Sequence, residues 1–359
     1  MSRILVLGGT GMTGRAVIRY LGAELPGADL AYSARRPSKQ IGLPFVPFDT
    51  RARRAENVRR LADFDWAIIC VGPFEEIGAQ IHELCVEART NCVDVNDSID
   101  ARRQIVALDR SCARAGVAVL TGCGLSPGLS SVILASAANR DPDRSVRSAD
   151  AILFIGGKQE PGPASLRSMF ATLGAPWRVL SQGREVTLPP ALERSPAGTD
   201  LGYLVGYESP DIDRVRDLFP RLDDYRYRVC FGQLDADAAE RLQRARFLRN
   251  RWLAERLARL AGRVGARRVR RRGVSPDNAV LTVALNSGDR PATQLVATGD
   301  SSYGITGAVA AIICSAVLRG QAPARPGVTE ILDLAPAHPY LLARLARHGI
   351  CATEAGGGE

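Results

Sequence analysis

Two rhythms of apolar and polar residues run along this chain, and they divide it. At the start, Ile4-Leu5-Val6-Leu7 is a short apolar run that stops at glycine, after which Ala16, Val17 and Leu21 recur at helical spacing. The succession then repeats: strands are predicted over residues 29–34, 45–49, 66–71, 91–97 and 117–121, with helices over 77–88, 99–115 and 129–139. The run 66–71 is apolar throughout, as a strand covered on both faces must be. Regular alternation of strand and helix gives an α/β chain with a doubly wound parallel sheet. From about residue 150 the pattern changes: strands over 151–156, 225–231, 279–286 and 294–297 surround a proline-rich loop at 188–196, which suggests a mixed sheet. Apolar residues 305–318 and the short stretch 339–347 read as closing helices. The predicted division is 1–125, 126–300 for substrate binding and dimerisation, 301–350, and a flexible tail from 351 to 359.

The junctions carry the candidate chemistry. Gly8-Gly9-Thr10-Gly11-Met12-Thr13-Gly14 lies between the first strand and the first helix. Gly8 allows a backbone that a side chain forbids, Gly11 allows approach of a pyrophosphate, and Gly14 lets the helix lie close on the strand. The N–H groups of Thr10 to Gly14 then face an anion, as in a Rossmann-type dinucleotide turn. About 20 residues on, where an acid holds the ribose of NAD, this chain has Ser33, Arg35 and Arg36 instead. A hydroxyl and two guanidinium forks suit a 2′-phosphate, so the expected cofactor is NADP. Asp49 is a candidate for the adenine amino group, and Val71-Gly72-Pro73-Phe74 for a wall beside the nicotinamide ribose. Asp94, Asn96 and Asp97 end the fifth strand near the expected reaction site, Ser98 fits a helix N-cap, and Gly122 to Ser130 forms a second glycine-rich turn that includes Ser126. Asp94 and Tyr303 are the candidate catalytic residues, and Asn96, Ser126 and Lys158 the candidate substrate contacts.

Composition narrows this picture in a few places. The 359 residues are 46% hydrophobic and 24% charged, ordinary for a globular protein, and no apolar run is long enough to span a membrane. The start is too short and glycine-broken for a signal peptide, so the expected location is the cytoplasm. Eight cysteines without a C-x-x-C pair and only three histidines give no expectation of a metal site. His82, among apolar neighbours, reads as packing. Of 47 basic residues only Lys39 and Lys158 are lysines, and no Tyr-x-x-x-Lys occurs, so the catalytic pair of short-chain reductases is missing. The arginine-rich stretch 236–272, including Arg244, Arg249 and Arg256, reads as a solvated helix face or as a dock for an acidic carrier protein. Nucleic acid is not the expected partner, because groove-reading elements are absent.

Taken together, the motifs Val6-Leu7-Gly8-Gly9-Thr10-Gly11-Met12-Thr13-Gly14, Val71-Gly72-Pro73-Phe74, Val93-Asp94, Gly124-Leu125-Ser126-Pro127-Gly128-Leu129 and Tyr303-Gly304-Ile305-Thr306-Gly307 resemble the saccharopine dehydrogenase-like family, in its saccharopine reductase branch. The resemblance implies a Rossmann domain completed by the C-terminal helices, a second α/β domain that binds substrate and forms a homodimer, and NAD(P)-linked redox chemistry. The expected activity is NADPH-dependent reduction of a C=N bond in a small amino-acid-derived substrate. Two alternatives stay open: a trans-acting enoyl reductase on a carrier-bound acyl chain, and a protein that senses NADPH without turnover.

Overall fold

A computed structural model describes residues 2–50, 53–141, 143, 145–156, 175–194, 203–231, 278–287 and 293–355. It divides into two compact units, Met1–Val132 with Tyr303–Ile350, and Ile133–Ser302 with Cys351–Glu359.

The first unit is built on a seven-stranded sheet. Its strands are β1 (Arg3–Leu7), β2 (Asp29–Ala34), β3 (Phe45–Pro47), β4 (Trp66–Ile69), β5 (Asn91–Asp94), β6 (Ala118–Thr121) and β15 (Gly327–Glu330). They lie in the order β15-β6-β5-β4-β1-β2-β3, and every pair is parallel. The helices are α1 (Met12–Glu24), α2 (Arg54–Leu61), α3 (Phe74–Ile77), α4 (Gln80–Ala88), α5 (Ile99–Val106), α6 (Asp109–Ala115), α9 (Ser302–Leu318) and α10 (His338–Arg347), and α7 (Leu129–Arg140) starts in this unit and continues into the second. Residues 4–7 and 66–69 are fully or almost fully buried, which explains why these strands show no alternation. Strand order reverses at β1, so the carboxyl ends of β1 and β4 flank a crevice of the kind that binds ligands in doubly wound sheets.

Helix α9 is apolar on all sides because it is buried on all sides: every residue from Gly307 to Ala316 is buried. At Gly307 it crosses α1 so closely that a Cβ there would stand 2.5 Å from the Ala16 Cβ. The C-terminal helices thus complete the first unit. No helix of the described residues is long and apolar enough to cross a membrane.

The second unit holds a mixed nine-stranded sheet. It contains β7 (Ser148–Ile155), β8 (Trp177–Ser181), β9 (Arg184–Leu188), β10 (Leu192–Arg194), β11 (Tyr203–Tyr207), β12 (Asp224–Phe231), β13 (Ala279–Asn286), β14 (Thr293–Gly299) and β16 (Cys351–Ala355), with the short α8 (Val215–Leu218) before β12. β7 and β12 are parallel, while β7–β13, β13–β14 and β11–β12 are antiparallel. Ala149, Ala151 and Leu153 are buried on one face of β7; Ser148, Asp150, Ile152 and Ile155 are half-exposed, and Phe154 is buried.

The structure differs from the sequence expectation in several places, including those that follow. The helix expected over 77–88 begins at Gln80, with a separate short helix over Phe74–Ile77 before it, because Gly78 turns the chain with φ +52 after Ile77. The helix expected over 99–115 breaks between Val106 and Asp109. The fifth strand ends at Asp94, because Asn96 closes a turn on Ser98. Residues 351–355 are not a free tail but β16, paired antiparallel with β14; residues 356–359 lie outside the described residues.

Candidate active site at the carboxyl edge of the parallel sheet

The turn after β1 has the shape its glycines allow. Gly8 adopts φ +80, and its N–H and that of Gly9 donate to the Ser33 carbonyl at 3.1 and 2.9 Å. A Cβ on Gly14 would stand 2.3 Å from the Gly8 carbonyl oxygen, so only glycine lets α1 begin this close to the strand. Arg15 N–H donates to the Gly11 carbonyl at 3.0 Å, and no side chain caps the helix start. The N–H groups of residues 12–14 therefore have no intrahelical acceptor and are open to an anion. Met12 lies on this turn with 45% of its surface exposed, an apolar contact offered to a ligand.

The segment after β2 is held in place by residues that the sequence did not single out. The buried Tyr32 hydroxyl accepts from Ser38 N–H at 2.8 Å and donates to the Ser38 carbonyl at 3.2 Å. Arg15 donates to Thr10 O at 3.2 Å and to Gln40 Oε1 at 2.8 Å, tying the glycine turn to the same segment. Arg35 and Arg36 are exposed on it. Ser33 is buried, and its Oγ has no hydrogen-bond partner among the described residues, so its contribution shown here is the carbonyl. Asp49 follows β3 half-buried, and its carbonyl accepts from Asn57 Nδ2 at 2.8 Å. After β4, Val71, Gly72 and Pro73 lie at the sheet edge, and buried Phe74 opens α3.

The polar end of β5 is organised inward. Asp94 is completely buried; its Oδ1 accepts from the N–H groups of Asn96 (2.9 Å) and Gly122 (3.0 Å), and its Oδ2 lies 2.8 Å from Nε2 of the equally buried His82. Its carbonyl also accepts from Cys123 N–H at 2.9 Å. Asn96, 1% exposed, donates from Nδ2 to the Ser98 carbonyl and accepts Ser98 N–H, both at 3.1 Å. Ser98 caps α5, accepting from Ala101 N–H at 3.3 Å. Asp94 and Asn96, expected to face the reactants, are thus supports beneath the edge; the short strand and the turn on Ser98 aim both side chains into the protein. Asp97 is exposed instead. Protein crowded around it and the nearby Glu75 carboxylate push its pKa up to about 7.

The second glycine turn runs from Gly122 to α7 and contains Ser126, which is half-buried. It doubles back tightly: Gly124 N–H donates to the Pro127 carbonyl at 3.1 Å, and Leu129 N–H to the Gly124 carbonyl at 2.9 Å. Tyr303 lies in the first turn of α9, half-buried, and one turn on the Thr306 methyl lies 3.4 Å from the place of a Cβ on Gly124. The first unit therefore brings the β1, β4, β5 and β6 turns to one sheet edge, with the start of α9 against the last of them. Lys158 and the arginine-rich stretch 236–272 lie outside the described residues. All eight cysteines are free, and burial raises the thiol pKa of Cys70, Cys123, Cys230 and Cys314. Among the described residues no group of three His, Cys, Asp or Glu side chains is placed to hold a metal.

No protein-family model and no curated protein matches the sequence. Solved structures do match in fold. A saccharopine dehydrogenase (L-Glu forming) from Saccharomyces cerevisiae aligns over 99% of both chains, with TM-score 0.67 and 16% identity. An engineered D-amino acid dehydrogenase bound to NADP+ aligns over 96% of this chain and 98% of its own, with TM-score 0.49 and 16% identity. An amine dehydrogenase from Mycobacterium smegmatis aligns over 93% and 95%, with TM-score 0.48 and 11% identity. In fold the chain is thus similar to that saccharopine dehydrogenase, with the alignment covering 99% of each chain.

Proposed function

We propose that this protein is a nicotinamide-dependent oxidoreductase, and more narrowly an NADPH-dependent reductase of a C=N bond in a small amino-acid-derived substrate. The observation that carries the reading is the cradle after β1: a turn that a Cβ at Gly14 would fill, an uncapped helix start and exposed Met12, at the point where the strand order reverses. These features fit a dinucleotide, which the N–H groups of residues 12–14 would hold, with Arg35 and Arg36 toward its adenosine end and Val71 to Phe74 toward its nicotinamide end. When bound, the dinucleotide supplies the hydride, and the chain's task is to position and polarise the acceptor.

The likeness in fold to a saccharopine dehydrogenase favours carbon–nitrogen chemistry. An iminium acceptor already carries its positive charge and needs no strong acid from the protein. Where a proton is required, Asp97 is better placed to give it than Asp94, whose two oxygens are engaged inside the protein. A carboxyl with pKa about 7 holds a proton near neutrality and can release it. Tyr303, at the start of α9, is the second candidate donor.

The test is NADPH oxidation with panels of amines mixed with 2-oxo acids or aldehydes. Turnover above the NADPH blank is expected, and a panel that never exceeds it refutes the C=N assignment. For the cofactor, Arg35→Ala with Arg36→Ala is expected to weaken NADPH binding tenfold or more relative to NADH, as loss of charge-assisted bonds of about 1.5–3 kcal/mol requires. Equal loss for both cofactors refutes the 2′-phosphate role.

A further inference from the structure

The least accessible charged group at the candidate site is Asp94. Its partners are two backbone N–H groups and one imidazole. Oδ1 accepts from the two amides, and Oδ2 faces Nε2 of the ring, whose tautomer sets the direction of that bond. Nδ1 of His82 is buried and has no hydrogen-bond partner among the described residues, so a second ring proton there would be a buried donor without an acceptor. The hydrogen bonding therefore assigns His82 as the neutral ring with its proton on Nε2, donated to Asp94. A neutral ring and two amides leave the carboxylate's charge uncancelled.

That charge lies under the turns that form the edge. It holds Gly122 from one side and Asn96 from the other, and its field reaches the end of β4. There the Cys70 thiol is pushed up, mainly by burial and then by Asp94. The Cys70 carbonyl is in turn 2.9 Å from the place of a Cβ on Gly8, so the end of β4 touches the dinucleotide turn. Buried charge is little screened by salt or water.

We propose that the Asp94 carboxylate, kept anionic by a neutral His82, is an electrostatic positioning residue that favours positive charge at the sheet edge. It thereby strengthens binding of the oxidised, cationic nicotinamide over the reduced, neutral one. The proposal rests on the reading that the β1–α1 turn holds a nicotinamide dinucleotide. It needs neither a known substrate nor turnover.

Dissociation constants of the oxidised and reduced forms of NADP and NAD, measured by titration calorimetry, test it. Three variants are compared with the wild type. Asp94→Asn removes the charge. His82→Gln keeps both the charge and a side-chain N–H donor for it. The double variant H82Q/D94N removes the charge and leaves a complementary amide pair, so it answers the question if Asp94→Asn alone does not fold. Loss of the Asp94 charge is expected to weaken the oxidised form about fivefold relative to the reduced form, the ratio to which roughly 1 kcal/mol corresponds. Both charge-removing variants should show that shift, and His82→Gln should not. An unchanged ratio of the two constants in the charge-removing variants overturns the proposal, as does an equal shift in His82→Gln. Failure of the folded wild type to bind any of the four dinucleotides refutes the dinucleotide reading itself.

Discussion

Asp94 and Asp97 are three residues apart and do opposite things. Asp94 is bonded on both oxygens inside the protein, while the carboxyl of Asp97 is pushed up to about 7, first by burial and then by the Glu75 carboxylate. A carboxyl whose folded pKa lies above its unfolded value near 4 favours the fold only while protonated. Its contribution is complete below about pH 4 and is lost as pH rises through about 7. Asp97→Asn, always neutral, is expected to gain thermal stability over the wild type as pH rises from 5 to 8. A difference in melting temperature that stays constant with pH shows that Asp97 has no raised pKa. The acidic end of β5 was visible in the sequence, but its facing was not. Where the strand stops decides which side chains turn inward, and Asn96 stops it two residues beyond Asp94. His82 could be read only as an apolar-face residue, because its partner comes from another element 12 positions away.

At the scale of elements, the first unit is closed by helices from the far end of the chain. Glu24, in the last turn of α1 and fully buried, pairs with Arg344 at 2.7 Å and has His348 Nε2 at 2.6 Å from its other oxygen. Arg319, just beyond α9, also donates to the Glu24 carbonyl. The ends of three helices thus meet at Glu24, two through its buried carboxylate and one through its carbonyl. Arg344→Met leaves that carboxylate with His348 as its remaining side-chain partner. Removing one partner of a buried ion pair costs about 3 kcal/mol, and urea unfolding is expected to show a loss of that order. A loss below about 0.5 kcal/mol would mean that Glu24 is satisfied by water. The helices themselves were legible from their periodicity. Their pairing was not, because a glutamate in an arginine-rich protein has many possible partners and only packing chooses among them.

At the scale of the whole molecule, the chain leaves the first unit, builds the second and comes back. It then adds one last strand to the second sheet. β16 registers Cys351 to Ala355 against β14, covering an edge that would otherwise present open N–H and C=O groups. A chain ending at Ile350 is expected to melt about 2–4 °C lower, the effect of losing a kcal/mol or so in a unit of this size. It should also self-associate as its concentration rises. An unchanged melting temperature with a concentration-independent mass would show that β16 is dispensable. The sequence reading as a flexible tail failed because five residues of small and polar type carry no strand pattern of their own; they become a strand because an edge is there to receive them.

What the sequence by itself determined are the features that depend on neighbouring residues: the alternation of strand and helix, the glycine turn after β1, the arginines after β2 and the change of pattern near residue 150. Local backbone sterics and periodic burial are enough for these. Only the tertiary structure decided which polar residues support the site and which face it. It placed His82 on Asp94, Tyr32 on Ser38 and β16 on β14, contacts whose members are set by how distant segments pack and by which buried polar groups find partners.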